Sequence, residues 1–199
     1  MNWIDGLWVR CCHKSFIFTR PILSLCVMDR QNNQKLKLHL KILNKKQNNI
    51  IYNIIMKIVI DTNIVLSALF SKRGASNRLM VWLFQQDKKY NVVSNTLVTE
   101  FEDVLTREKN LKQFNNLTKD AVLGFIDDIC LISYHQEIYF LWRPFLSNSN
   151  DDMVLEVAVN SNADAIITFN PKDFRGVKES FDIDILTPKE FLTEIGEIK

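Results

Sequence analysis

The chain has 199 residues, 47% of them hydrophobic and 24% charged, which suits one soluble globular domain with a sizeable core and some chain to spare. Its net charge of +2 conceals two unlike parts: residues 1–55 hold nine Lys/Arg against Asp5 and Asp29, whereas residues 56–199 hold sixteen against twenty-one Asp/Glu. The larger, acidic part excludes wholesale coating of nucleic acid by bulk charge, so contact with RNA has to rely on a local patch or on bound metal ions.

Residues 1–55 join a Trp/Cys/Phe-rich start to a Lys/Asn/Gln-rich run over 30–53, and no stable periodicity runs through them. They read as an N-terminal extension, either disordered or the product of an over-extended reading frame with Met56 as the natural start. A basic arm that touches RNA or a membrane surface is the alternative. Residues 35–51 have a spacing compatible with an isolated amphipathic helix. The most apolar N-terminal stretch, 15–28, is interrupted by Arg20-Pro21, is too short to cross a bilayer and is followed by no clean cleavage site. Cys11, Cys12 and Cys26 lie in this segment and Cys130 stands apart, with no Cys/His metal spacing. A buried Cys130 thiol in a reducing cytoplasm fits this pattern better than a disulfide scaffold.

From Met56 the chain alternates strands and helices. Residues 57–61 are an apolar strand of the kind buried on both faces of a parallel sheet. A helix follows over 64–70, a turn at Lys72-Arg73-Gly74, and a second helix over 76–86 with Ser76 as its N-cap. Residues 90–94 form a strand. The apolar positions Leu97, Val98, Phe101, Val104 and Leu105 then place a helix over 95–107. Thr118 caps a helix through Ile129, residues 131–135 form a strand, 151–160 a helix, and 165–168 a strand. A fifth strand over 183–186 leads into a last helix opened by Thr187-Pro188. The alternation predicts an α/β fold, a three-layer α/β/α sandwich around a mostly parallel sheet, over residues 56–199.

Acidic residues recur at the ends of these elements. Asp61 ends the first strand, Glu100 lies early in the helix after the second, Asp152 opens the helix over 151–160, and Asp173 follows the fourth strand in Thr168-Phe169-Asn170-Pro171-Lys172-Asp173-Phe174. In open α/β sheets the crevice beyond the carboxyl ends of the strands is where ligands bind. Carboxylates converging there repel one another unless a cation neutralises them, and hard oxygen donors select Mg²⁺ or Mn²⁺ over Zn²⁺. Such a site can polarise a phosphodiester and generate a nucleophile from water. Each residue alone also has a bland role: Asp61 as a helix cap, Glu100 as a solvated helix residue, Asp151 and Asp152 as partners of a helix dipole, Asp173 in a turn.

The run Ile58-Val59-Ile60-Asp61-Thr62-Asn63-Ile64-Val65-Leu66-Ser67-Ala68 resembles the opening motif of PIN domains. Val92-Val93-Ser94 with Glu100-Phe101-Glu102-Asp103-Val104-Leu105, Asp151-Asp152 with Leu155-Glu156-Val157-Ala158, and Ala163 through Asn170 with Lys172-Asp173-Phe174 are similar to the family's later motifs. The resemblance implies a Rossmann-like fold and Mg²⁺- or Mn²⁺-dependent RNA hydrolysis. It carries metal ligation to Asp61, Glu100 and Asp152 and a catalytic place to Asp173, with Asn63, Ser94 and Asn170 in support. Many relatives have Asp where this chain has Asn170, so one charge is missing there. The likeness is nearest to toxins of VapBC-like toxin–antitoxin pairs, which implies an RNA substrate, a cognate antitoxin and a homodimer, with no membrane association.

Lys72, Arg73, Arg78 and Arg143 are candidate phosphate contacts, against the commoner role of surface solubilisation. Trp142 is open to base stacking, core packing or a lid. The competing reading is an inactive scaffold that keeps the fold and binds RNA or protein only, and Asn170 is the residue that raises it. A dehalogenase-type phosphohydrolase needs a second acid two residues after Asp61, where Asn63 stands, and the first strand is not followed by the Gly-rich loop of a nucleotide-binding fold.

Overall fold

The computed structural model describes residues 56–114 and 117–198, and the expectations for residues 1–55 lie outside them. No helix among the described residues is long and apolar enough to cross a membrane.

The β-branched run Ile58-Val59-Ile60 forms β1 (Ile58–Ile60), whose residues are at most 1% exposed. It pairs in parallel with β4 (Ala165–Ile167), which pairs in parallel with β5 (Asp184–Leu186). On the other side β2 (Val92–Val93) pairs in parallel with β3 (Tyr134–His135). A single parallel bridge, Ile58 to Asn91, joins the two groups, and the Ile58 N–H donates to the Tyr90 carbonyl at 2.8 Å. The strand order is therefore β3-β2-β1-β4-β5. Strands leave β1 in opposite directions along the sheet, so the crevice of an open α/β fold opens above the carboxyl ends of β1 and β4.

Helices flank this sheet. α1 (Thr62–Phe70) begins directly after Asp61, two residues earlier than the periodicity predicts, because Asp61 itself is the N-cap. α2 (Ala75–Phe84) starts at Gly74, which corrects the expectation that Ser76 caps it. Ser76 is 1% exposed and lies inside the helix. α3 (Asn95–Leu105) is capped by Ser94, whose Oγ accepts from the Leu97 N–H at 3.2 Å, and α4 (Glu108–Leu111) is a separate short turn. α5 (Lys119–Leu131) is capped by Thr118 as expected, but it runs on through Leu131, so the third strand keeps only two of its five predicted residues.

α6 (Ser149–Ser161) is capped by Asn148 and lies against β1, β2 and β4. A 3-10 turn (Pro171–Phe174) and α7 (Val177–Phe181) sit between β4 and β5, too short to leave a periodic signal. α8 (Pro188–Glu194) has Pro at its start and a capping box in which Thr187 and Glu190 satisfy each other's backbone N–H groups. Phe101, Phe174, Phe191, Leu97 and Leu105 are at most 2% exposed, each contributing about 2 kcal/mol by burial.

Between β3 and α6 the chain has no regular structure but is held against α6 by three side chains spaced four residues apart. Asp152 Oδ1 accepts the Leu146 N–H at 3.0 Å, Glu156 Oε1 accepts the Trp142 N–H at 3.3 Å, and Asn160 Oδ1 accepts the Tyr139 and Phe140 N–H groups at 3.1 Å each. Residues four apart lie on one helix face, so these three form a ladder of acceptors that fixes the strap over residues 139–146 antiparallel to α6.

Candidate active site

Asp61 stands where β1 ends, 7% exposed, with its N–H bound to the Ile167 carbonyl at 3.0 Å. Its Oδ2 accepts two short bonds, 2.6 Å from Thr168 Oγ1 and 2.6 Å from Asn63 Nδ2, and Oδ1 accepts the Asn63 N–H at 3.4 Å. Asn63 Nδ2 also reaches Thr168 Oγ1 at 3.3 Å. Burial pushes the Asp61 carboxyl above the ordinary aspartate range, and the bonds from Thr168 and Asn63 work against that rise. Asn63, expected in a supporting place, is part of this triangle; Thr168 completes it, and its position directly after a buried strand was the signal available for it.

Glu100 enters from α3 and is half-buried. Its pKa is raised first by burial and then by the neighbouring charges of Asp61 and Asp151, while the Thr62 hydroxyl and Arg107 favour its charged form. Thr62 Oγ1 is itself buried without a hydrogen bond of normal geometry. Asp151, in the first turn of α6, is raised by burial and by the charges of Asp61, Asp173 and Asp152, with the Asn148 side chain opposing. The carboxylates linked by these charge effects are therefore Asp61, Glu100, Asp151, Asp152 and Asp173, drawn from four separate elements.

Asp152, expected as a ligand, is fully buried and engages the strap through Oδ1. Its neighbour Asp151 is the residue of the pair whose charge reaches Glu100. The two point in different directions because successive helical residues are rotated by about 100°. Asp61, Glu100 and Asp173 are linked by charge through Asp151, which sequence reasoning placed only as a helix-dipole partner, and Asp152 adjoins Asp151 with Oδ1 on the strap and Oδ2 buried without a hydrogen-bond partner.

Ser94 caps α3 and so sets the start of the helix that carries Glu100. Asn170 is exposed, and its N–H donates to Thr168 Oγ1 at 3.0 Å. Lys72 and Arg73 are exposed in the turn after α1, and Arg78 is exposed on α2. Arg143 is committed elsewhere: its Nε and Nη2 donate to Glu156 Oε1 and Oε2 at 2.9 Å each, and Glu156 is 2% exposed. Trp142 packs edge-on against Phe181 with ring centroids 5.1 Å apart.

The donor set fits a hard divalent cation. All its atoms are carboxylate oxygens, burial raises the pKa values of Asp61, Glu100 and Asp151 with neighbouring charges adding to it at the latter two, and Asp151 Oδ2 and Asp152 Oδ2 are both buried with no hydrogen-bond partner. Among the described residues no three acidic, His or Cys side chains stand within reach of one ion as they lie, so binding would require side-chain rotation.

A family model described as PIN domain matches residues 57–172, more than half of the chain. No curated protein matches it.

Proposed function

The chain belongs to the PIN-domain family, whose members are typically metal-dependent nucleases, and from that premise we propose that it hydrolyses RNA phosphodiesters. The observation that carries the proposal is Asp61, held by Thr168 and Asn63 at the end of β1 where the strand order reverses, with Glu100 and Asp151 near enough for its charge to raise their pKa values. Asp61, Glu100 and Asp151 would hold Mg²⁺ or Mn²⁺. The bound cation would supply Lewis acidity and a nucleophile from water at neutral pH.

The chain's own residues do the rest. Thr168 and Asn63 fix the Asp61 carboxylate in one rotamer by three hydrogen bonds. Glu100 is held against the crevice by α3, which Ser94 starts at the right place. Asp173, exposed in the 3-10 turn after β4, would lie at the mouth of the site. Lys72, Arg73 and Arg78 are free to meet phosphates, whereas Arg143 already neutralises Glu156. Asn170 does not remove the acid cluster, because Asp151 contributes a charge that the family motif alone does not assign.

The resemblance of the four motifs supports a narrower identity, the toxin of a toxin–antitoxin pair. In that role a partner chain would bring a basic side chain into the crevice, and a second copy would complete a homodimer in the cytoplasm. The test of the broader proposal is cleavage of a fluorescent single-stranded RNA by the purified chain with Mn²⁺, beside an EDTA control and Asp61→Asn. We expect cleavage by the unmodified chain alone. Equal cleavage by Asp61→Asn would sink the assignment of the site.

A further inference from the structure

We infer that Phe169 is the residue on which a nucleobase of the substrate stacks, beside the phosphate held at Asp61. The inference rests on the nuclease proposal above and goes beyond it by naming how a single-stranded chain is gripped.

Phe169 leaves the sheet directly after β4. Ile166 and Ile167 before it are fully buried, and so is Thr168, yet Phe169 is 46% exposed. A large apolar ring held in water at a crevice mouth forgoes the burial energy that keeps the other phenylalanines of this core inside. Its backbone is nevertheless fixed. The Phe169 N–H donates to Asn63 Oδ1 at 3.4 Å, and the Asn170 N–H donates to Thr168 Oγ1 at 3.0 Å. Those acceptors belong to the same Asn63 and Thr168 that bond Asp61 Oδ2. One hydrogen-bonded unit therefore sets both the carboxylate and the backbone that carries the ring, and only about 3.8 Å of chain separates the Thr168 and Phe169 α-carbons.

The surroundings of the ring decide its partner. Asn63 is beside it, and Asn170, Lys172 and Asp173 follow it along the exposed rim. A protein docking surface needs contiguous apolar area, whereas a single π face among polar groups suits a flat base with polar edges. Such stacking accepts any base, so it fixes a strand without reading its sequence. It also selects unpaired RNA, because a base within a duplex has no free face to offer.

The experiment compares the full chain, Phe169→Ala and Phe169→Trp in steady-state cleavage of a short single-stranded RNA with Mn²⁺. The same RNA is prepared with an abasic ribose at each position near the cut. We expect Phe169→Ala to raise KM about tenfold at unchanged kcat, the factor typical of one lost base–aromatic stack, and Phe169→Trp to restore it. One abasic position should raise the KM of the unmodified chain by the same factor, and Phe169→Ala should then add nothing. If Phe169→Ala cuts the intact RNA with unchanged KM, or loses the same factor on every abasic RNA, the stacking role is overturned while the nuclease stands. If the unmodified chain cuts no RNA at all, the nuclease proposal fails first, and the stacking role falls with it.

Discussion

Thr168 and Asp61 are 107 residues apart in the chain, and Thr168 Oγ1 donates a 2.6 Å hydrogen bond to Asp61 Oδ2. This bond ties the end of β4 to the end of β1, on the two strands between which the sheet changes direction. It also favours the charged form of a carboxyl that burial makes hard to ionise.

Thr168→Val should therefore raise the Asp61 pKa further. The acidic limb of a pH–rate profile with Mn²⁺ is expected to move to higher pH, and Thr168→Ser should leave it in place. The cost in stability should be about 1 kcal/mol, the usual net worth of one hydrogen bond. An unmoved acidic limb would mean that Asp61 ionisation does not limit the reaction.

Asp61, Glu100 and Asp151 all hold protons more tightly in the folded chain than in the unfolded one. Acids shifted in this direction lower stability as pH rises from the unfolded values of about 4 through the folded ones. In EDTA the Tm should accordingly fall as pH is raised from about 4 to 7, insofar as these groups control it. Asp61→Asn should flatten that slope and raise the Tm at pH 7 by a few degrees, roughly what 1 kcal/mol gives a domain of this size. Adding Mn²⁺ at pH 7 should stabilise the unmodified chain and leave Asp61→Asn nearly unchanged.

The two neighbouring aspartates of α6 should behave differently. Asp151→Asn is expected to lower cleavage at least about a hundredfold, as loss of a charge at the reaction centre does, with little change in unfolding. Asp152→Asn keeps an oxygen for the Leu146 N–H and should retain both fold and activity. Asp152→Ala leaves that donor buried and unpaired and should cost about 1–3 kcal/mol. Denaturant unfolding alongside cleavage assays separates these cases, and loss of activity in Asp152→Asn at full stability would return Asp152 to the role its family motif implies.

Arg143→Ala should damage the fold rather than RNA binding. It strips Glu156 of its bidentate partner and leaves a buried carboxylate with only the Trp142 N–H, which is costly. Because Arg143 is itself part-exposed, the loss should be about 2 kcal/mol, below the full range for buried pairs. The salt dependence of RNA affinity should stay the same, since no phosphate contact is lost. A shallower salt slope would show that Arg143 meets phosphate after all.

Strong local signals made much of the fold legible. The apolar β-branched run before Asp61, the Thr118 cap and the Thr187-Pro188 start each appear where the sequence puts them. Ser76 misled because serine favours helix starts, yet the actual cap is Gly74, which offers no side chain to read. The third strand was overdrawn because Leu131 and Ile132 are as apolar at the end of a helix as in a strand. At the site, Asp61 and Asp173 stood out as candidates because each follows the end of a strand, and Glu100 because it lies on the helix after β2. The division of work between Asp151 and Asp152 was not, because one residue of helical rotation decides it and composition carries no trace of that. Thr168 was visible in the polar run after the fourth strand, but its bond to Asp61 was not, because that partner is 107 residues away in the chain.

The acceptor ladder of α6 bears on what kinds of change the strap tolerates. Its rungs are made by backbone N–H groups of residues 139–146, and the exposed side chains of Phe140 and Leu141 take no part in them and are open to replacement. Length is another matter. Inserting or deleting one residue between 140 and 146 would move every amide on one side of the change past its rung, and the start of α6 would be pulled with it. Asp151 stands in that first turn, so a shift in the spacing of a surface segment would reach the crevice without any substitution there.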